Sequence, residues 1–146
     1  MFEIDLRTYD YPLGYVEIKD MLMSKDHTCL IAADEQHQVV GFAVLKSDRP
    51  KGVMEVVRLA VHPKHRGLGA AKLLLEKAEE FCVTCKLHEM FINVPETKCI
   101  PRDPDDVSRW LKFQGFKAVT PLLKDAFEMY GGKVDGIKFV RPVDVT

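Results

Sequence analysis

A mixed α/β sheet with helices packed on it is the fold class that the sequence predicts. Three observations predict it. Short apolar runs rich in β-branched residues recur, as in residues 39–46 (VVGFAVLK) and 54–61 (MEVVRLAV). Leu74, Ala78, Phe81 and Cys85 step by three and four, the period of a buried helical stripe. The elements then run β, α, β, β, β, α, β, α, β, β, with a hairpin in the first half and helix–strand alternation in the second.

Residues 1–9 suit a strand. Residues 10–24 suit a short helix capped by Asp10, with Tyr15, Ile18 and Leu22 on one face, although Gly14 disfavours a helix. CLIAA (29–33) and VVGFAVLK flank the polar turn DEQHQ, a hairpin. MEVVRLAV is the next strand. Lys72, Glu76 and Glu80 fall on the solvent side of the helix that follows. MFINVP (90–95) is a strand closed by Pro95, and an irregular loop follows it. Asp103-Pro104-Asp105-Asp106 signals a helix start. Val107, Trp110 and Leu111 supply that helix's apolar face, and Gly115 its stop. FKAVT (116–120) and GIKFVRPV (136–143) are the last strands, separated by a long polar-aromatic loop.

One domain over residues 1–146 is the simplest organisation, and a chain of this length buries roughly 70% of its extended surface. Apolar residues make up 47% and charged residues 29%, the composition of a soluble globular protein. The net charge of -1, from 21 basic and 22 acidic residues, argues against a nucleic-acid binder. No run is long enough to span a bilayer, and residues 1–10 lack the pattern of a signal peptide, so a cytoplasmic protein is expected. Cys29, Cys82, Cys85 and Cys99 are then expected as reduced thiols.

Residues 56–81 (VVRLAVHPKHRGLGAAKLLLEKAEEF) hold the most chemistry. A strand leads through a short basic, glycine-rich loop into a helix. A helix start exposes unpaired N–H groups and partial positive charge, and glycines let an anion approach that backbone. Gly67 and Gly69 give clearance, Arg66 adds a charged donor, and Ala70 and Ala71 keep the first turn small. Neither GxxxxGK[ST] nor GxGxxG is present. The bare spacing serves an anion site or a tight strand-to-helix turn equally well.

RLAVHPKHRGLGAAKLLL (58–75) resembles the acyl-CoA motif of the GNAT superfamily of N-acetyltransferases. Its Arg/Gln-x-x-Gly-x-Gly/Ala pattern is met by Arg66, Gly69 and Ala71. The hairpin VVGFAVL, the pair Gly115–Phe116 and the element order are also similar, so the resemblance covers nearly the whole chain. It implies a mostly antiparallel twisted sheet of six to seven strands, helices on both faces, and splayed central strands. It implies acetyl-CoA as co-substrate, with the pyrophosphate on the backbone of Arg66, Gly67, Leu68, Gly69, Ala70 and Ala71. The pantetheine arm would lie between the strands at 54–61 and 90–95, against backbone groups of Leu59, Ala60 and Val61. The implied partner is an amine acceptor, protein or small molecule, and a homodimer through sheet edges or the last strands is compatible with it. No metal is implied.

Glu55 is the candidate general base. It lies six residues before Val61, where some family members place a catalytic Glu, and alternation puts it on the face of Val57, Leu59 and Val61. Two other family positions are empty. Asn93 stands where ribosomal-protein N-terminal acetyltransferases carry a Glu, and Leu111 stands where many members carry a Tyr as general acid to the CoA sulfur. Tyr130, in EMYGG, is the candidate substitute acid. Those vacancies leave a second reading, a catalytically impaired acyl-CoA-binding protein that acts by binding a protein partner. A zinc site from Cys82, Cys85, His88 and Cys99 is a further reading. Against it, Cys82 and Cys85 lie in the apolar stripe of a helix.

Overall fold

The computed structural model describes residues 23–65, 69–96, 99, 107–129 and 132–145. The strand expected over 1–9, all but the end of the helix expected over 10–24, and the Asp103–Asp106 helix start lie outside the described residues.

In chain order the described elements are β1 (His27–Ala33), β2 (Val39–Asp48), β3 (Val53–Val61), α1 (Ala70–Thr84), β4 (Glu89–Pro95), α2 (Ser108–Phe113), β5 (Lys117–Met129) and β6 (Gly132–Pro142). They form a six-stranded sheet in the order β1-β2-β3-β4-β6-β5. Every neighbouring pair is antiparallel except β3 and β4, which run parallel. The mixed α/β sheet is as expected from the element order.

Local chemistry explains the connections. In the β1–β2 turn Asp34 Oδ1 accepts from the N–H groups of Gln36 and Gln38, each at 2.9 Å, which satisfies the turn from its own side chain. Between β2 and β3, Gly52 sits at φ +68°, and a Cβ there would run into the His88 ring. Gly41 lets β2 pass close to β3 and α1, because a Cβ would lie 3.0 Å from Ala60 O and 3.5 Å from Leu74 Cδ1. The start of α1 is thereby seated over the ends of β2 and β3.

One face of the sheet carries the core. Leu74, Leu75, Ala78 and Cys82 of α1 and Leu111 of α2 pack there with Leu45, Met54, Val56, Met90 and Phe139. Each such large side chain, fully buried, contributes about 1.5–3 kcal/mol. Arg141 Nη2 donates to Glu79 Oε2 at 2.5 Å, tying β6 to α1.

Two expectations change. Residues 121–135 were expected as a loop, yet β5 and β6 run through most of them. The register of β5 slips between Val119 and Leu123 and again between Leu123 and Phe127. Each slip breaks the period of two by which a strand is read, and Pro121 is tolerated because β5 is an edge. The second change is in β3. Leu45 pairs with Val56 and Val44 with Arg58, so Val57 is an extra residue in a bulge. The bulge shifts the alternation: Met54, Val56 and Leu59 join the main core, whereas Val57 and Ala60 pack with Phe42 and Val44 on the opposite face. Glu55 thus shares a face with Val57 but not with Leu59.

Candidate active site

β3 and β4 pair over only three positions: Val53 with Glu89, Met54 with Met90, and Glu55 with Phe91. Beyond that point each strand stays bound to its outer neighbour. β3 holds β2 as far as Val61 opposite Gly41, and β4 holds β6 as far as Pro95 opposite Gly136. The two strands therefore part as a built fork, rather than fraying.

Glu55 stands at the closing point of this fork. It belongs to a row that crosses all six strands: His27, Lys46, Glu55, Phe91, Val140 and Lys117. Glu55 is half-buried, and burial raises its carboxyl above the ordinary range. The positive charges of Lys46, His27 and Lys138 oppose that rise without cancelling it. A carboxylate so held is a better proton acceptor than one in water.

On the face away from the main core, Glu55 opens onto a cavity of about 250 Å³. Phe91 and Val53 form its apolar part, and Lys138 Nζ lies 4.4 Å over the Phe91 ring. Lys46, Lys51, Asp48 and Glu89 complete the wall. Asn93, two residues beyond Phe91 on the same face, has a buried Oδ1 with no hydrogen-bond partner among the described residues.

At the open end of the fork the chain passes from β3 into a 3₁₀ turn at Pro63–His65. His62 N–H donates to Val40 O at 2.7 Å, and His62 Nδ1 accepts from Lys64 N–H at 3.2 Å. Arg66, Gly67 and Leu68 lie outside the described residues. Gly69 is the N-cap of α1 at φ 84°, and no side chain caps the helix there. Among the described residues nothing lies within 4 Å of the position of a Cβ on Gly69. The N–H groups of Ala70 and Ala71 are in the first turn, which has no intrahelical acceptors for them. Space and donors for an anion coincide here.

The other candidates separate. Tyr130 lies outside the described residues. Leu111 is a core residue, 2% exposed. Cys82 is fully buried with Sγ 3.5 Å from Met54 Sδ. Burial, with smaller contributions from Cys85 and Glu79, pushes its thiol up to about 12. Among the described residues no group of three His, Cys, Asp or Glu side chains converges on one point. Nor is any described helix long and apolar enough to cross a membrane.

The model of the Acetyltransferase (GNAT) family matches residues 1–100, which include β1 to β4, the fork and α1. The chain belongs to the GNAT family. Membership carries the enzyme class: an acetyl-CoA-dependent N-acetyltransferase. No curated protein matches the sequence significantly. Solved structures show the same GNAT fold. Ard1 from Thermoplasma volcanium superposes with a TM-score of 0.82 at 18% identity, covering 99% of this chain and 89% of that one. The ribosomal-protein-S18-alanine N-acetyltransferase of Escherichia coli gives 0.78 at 14%, covering 99% and 86%. Arabidopsis thaliana NAA60 in complex with acetyl-CoA gives 0.78 at 16%, covering 97% and 90%.

Within this GNAT chain, sequence reasoning missed the lysines. Lys46 ends an otherwise apolar strand run and Lys138 interrupts another. Only the pairing of β2 with β3 and of β4 with β6 brings both to Glu55.

Proposed function

We propose that this chain, acting as one domain over residues 1–146, transfers the acetyl group of acetyl-CoA to a primary amine. The amine attacks the thioester directly within a ternary complex, with Glu55 as general base. The observation that carries this reading is the place of Glu55, the last residue of β3 paired with β4, where the sheet opens.

The pantetheine arm lies in the fork, against the backbone of Leu59, Ala60 and Val61. The pyrophosphate sits at the loop and helix start formed by Arg66, Gly67, Leu68, Gly69, Ala70 and Ala71. The open space in front of Gly69 supports this placement. An amine of pKa about 10.4 costs roughly 4 kcal/mol to deprotonate near pH 7.4. Once the free amine attacks and the CoA thiolate departs, a further proton must leave the nitrogen, and a base at the fork accepts it directly or through a water. Such catalysis contributes about 100- to 10,000-fold. The acceptor approaches from the cavity on the Glu55 face.

Calorimetric titration of acetyl-CoA, followed by thiol release with a mixed amine panel, tests the reading. Binding with thiol release that Glu55→Gln suppresses is expected. Absence of binding overturns the cofactor site. Binding with no release from any amine favours the acyl-CoA-binding reading instead.

A further inference from the structure

We propose that the acceptor is a small amine that also carries a carboxylate, of amino-acid type, held at the closed end of the fork by Lys46, Lys51 and Lys138. The inference rests on the reading of Glu55 as the base, and it assigns the substrate class.

Six charges line the cavity: the three lysines, Asp48, Glu55 and Glu89. Among the described residues no ion pair joins any two of them. The charges of both signs are held around open space without direct contact among the described residues. Asp48 is partly engaged, because its Oδ1 accepts from the N–H of Lys51 at 3.2 Å. That neutral donor leaves the charge of Asp48 in place, so three ammonium groups stand against three carboxylates around the cavity. Lys138 is fixed by its place over the Phe91 ring, one strand from Glu55.

A polycation answers only one of the two signs around this cavity. A polyamine or aminoglycoside would bring its second and third ammonium groups against the lysines. A protein N-terminus brings one ammonium and a neutral backbone, and leaves the lysines unanswered. A zwitterion answers both signs: its amine faces Glu55 and its carboxylate faces the lysines, as charge-assisted hydrogen bonding requires. The size agrees. About 250 Å³ falls below the roughly 300–1,000 Å³ of pockets for drug-sized ligands.

The test compares the twenty free amino acids with their amides, their decarboxylated amines and spermidine in the thiol-release assay. An amide has the less basic amine, so basicity alone would favour it. We expect at least one free acid to exceed both its amide and its decarboxylated amine in kcat/KM, with spermidine poor. Lys138→Met and Lys46→Met should shrink the acid-to-amide ratio about tenfold, the worth of one charged hydrogen bond. The ratio cancels any effect of the lost charge on Glu55. Equal or better rates with amides, amines or spermidine overturn the proposal while leaving acetyl transfer standing. If no amine turns over, titration of the same four compound classes into CoA-saturated protein decides it. Tighter binding of a free acid than of its amide supports the proposal, and no such preference overturns it.

Discussion

Glu55 and Phe91 are directly opposed across β3 and β4, and no pair follows them along the fork. A half-buried carboxylate therefore stands beside an aromatic ring at the point where the sheet stops being continuous. Desolvation by this setting raises the carboxyl, against the pull of Lys46, His27 and Lys138. Asp48, Lys51 and Glu89 are the other titratable groups around the same cavity.

Replacing Glu55 by Gln separates catalysis from stability. Turnover should fall about 100- to 10,000-fold with acetyl-CoA binding kept. In the wild type, kcat/KM should lose activity as pH falls through the raised pKa of Glu55, above the ordinary carboxylate value of about 4.3. That acid limb should be missing in Glu55→Gln. The stability effect runs the other way. A carboxyl whose folded pKa is raised favours the fold fully below the unfolded value, and this contribution is lost as pH rises through the folded value. At pH 7 the glutamine variant should melt at or above the wild-type temperature. Near pH 4 the gap should close. Unchanged turnover across pH 7 to 9 would remove Glu55 from the mechanism.

How much of this was legible in the sequence depends on whether a feature is local. The fork-side strands, α1 and the hairpin turn follow from residues within a few positions of one another. The Val57 bulge is not local: it exists only in the pairing of β3 with β2, so simple alternation put Glu55 on the face of Leu59. Likewise Lys138 lies 83 positions from Glu55 in the chain, and only the crossover that places β4 beside β3 and β6 brings it to the cavity. The β5–β6 hairpin was hidden by its own register slips, which break the alternation that marks a strand.

Gly69 offers a clean probe of the anion site. Its φ of 84° favours glycine, but the space before it is open. Gly69→Ala should cost about 1 kcal/mol of stability through the backbone alone, and acetyl-CoA should still bind. Gly69→Glu adds a negative charge where the pyrophosphate is placed. Two like charges about 4 Å apart near a surface repel by on the order of 4 kcal/mol. Calorimetry should show at least a tenfold loss of affinity for Gly69→Glu over Gly69→Ala. Equal affinities would move the phosphates elsewhere.

Asn93 carries a buried acceptor with no partner among the described residues. A buried polar group without a partner costs about 1–3 kcal/mol. Asn93→Val places a β-branched residue in β4 and removes that cost, so its melting temperature should equal or exceed that of the wild type. If the amide meets the acceptor amine, kcat/KM for the amine should fall while the affinity for acetyl-CoA holds. A lower melting temperature with full activity would show that Asn93 serves the fold instead.

Cys82 should report on the core under α1. Its thiol is raised from 9.0 to about 12 by burial, and its sulfur rests against Met54. A raised thiol contributes stability that is complete below the unfolded value and is lost as pH climbs toward the folded one. The melting temperature should therefore decline from pH 9 upward. Cys82→Ala, which has no thiol to ionise, should start lower because of the void it leaves, and its slope between pH 9 and 10 should be shallower. Thiol labelling of the native protein at pH 8 gives the second readout. Cys85, half-buried beside Arg49 at 3.8 Å, should react well before Cys82. Labelling of Cys82 at a rate equal to that of Cys85, without global unfolding, would mean that α1 opens from the sheet on its own.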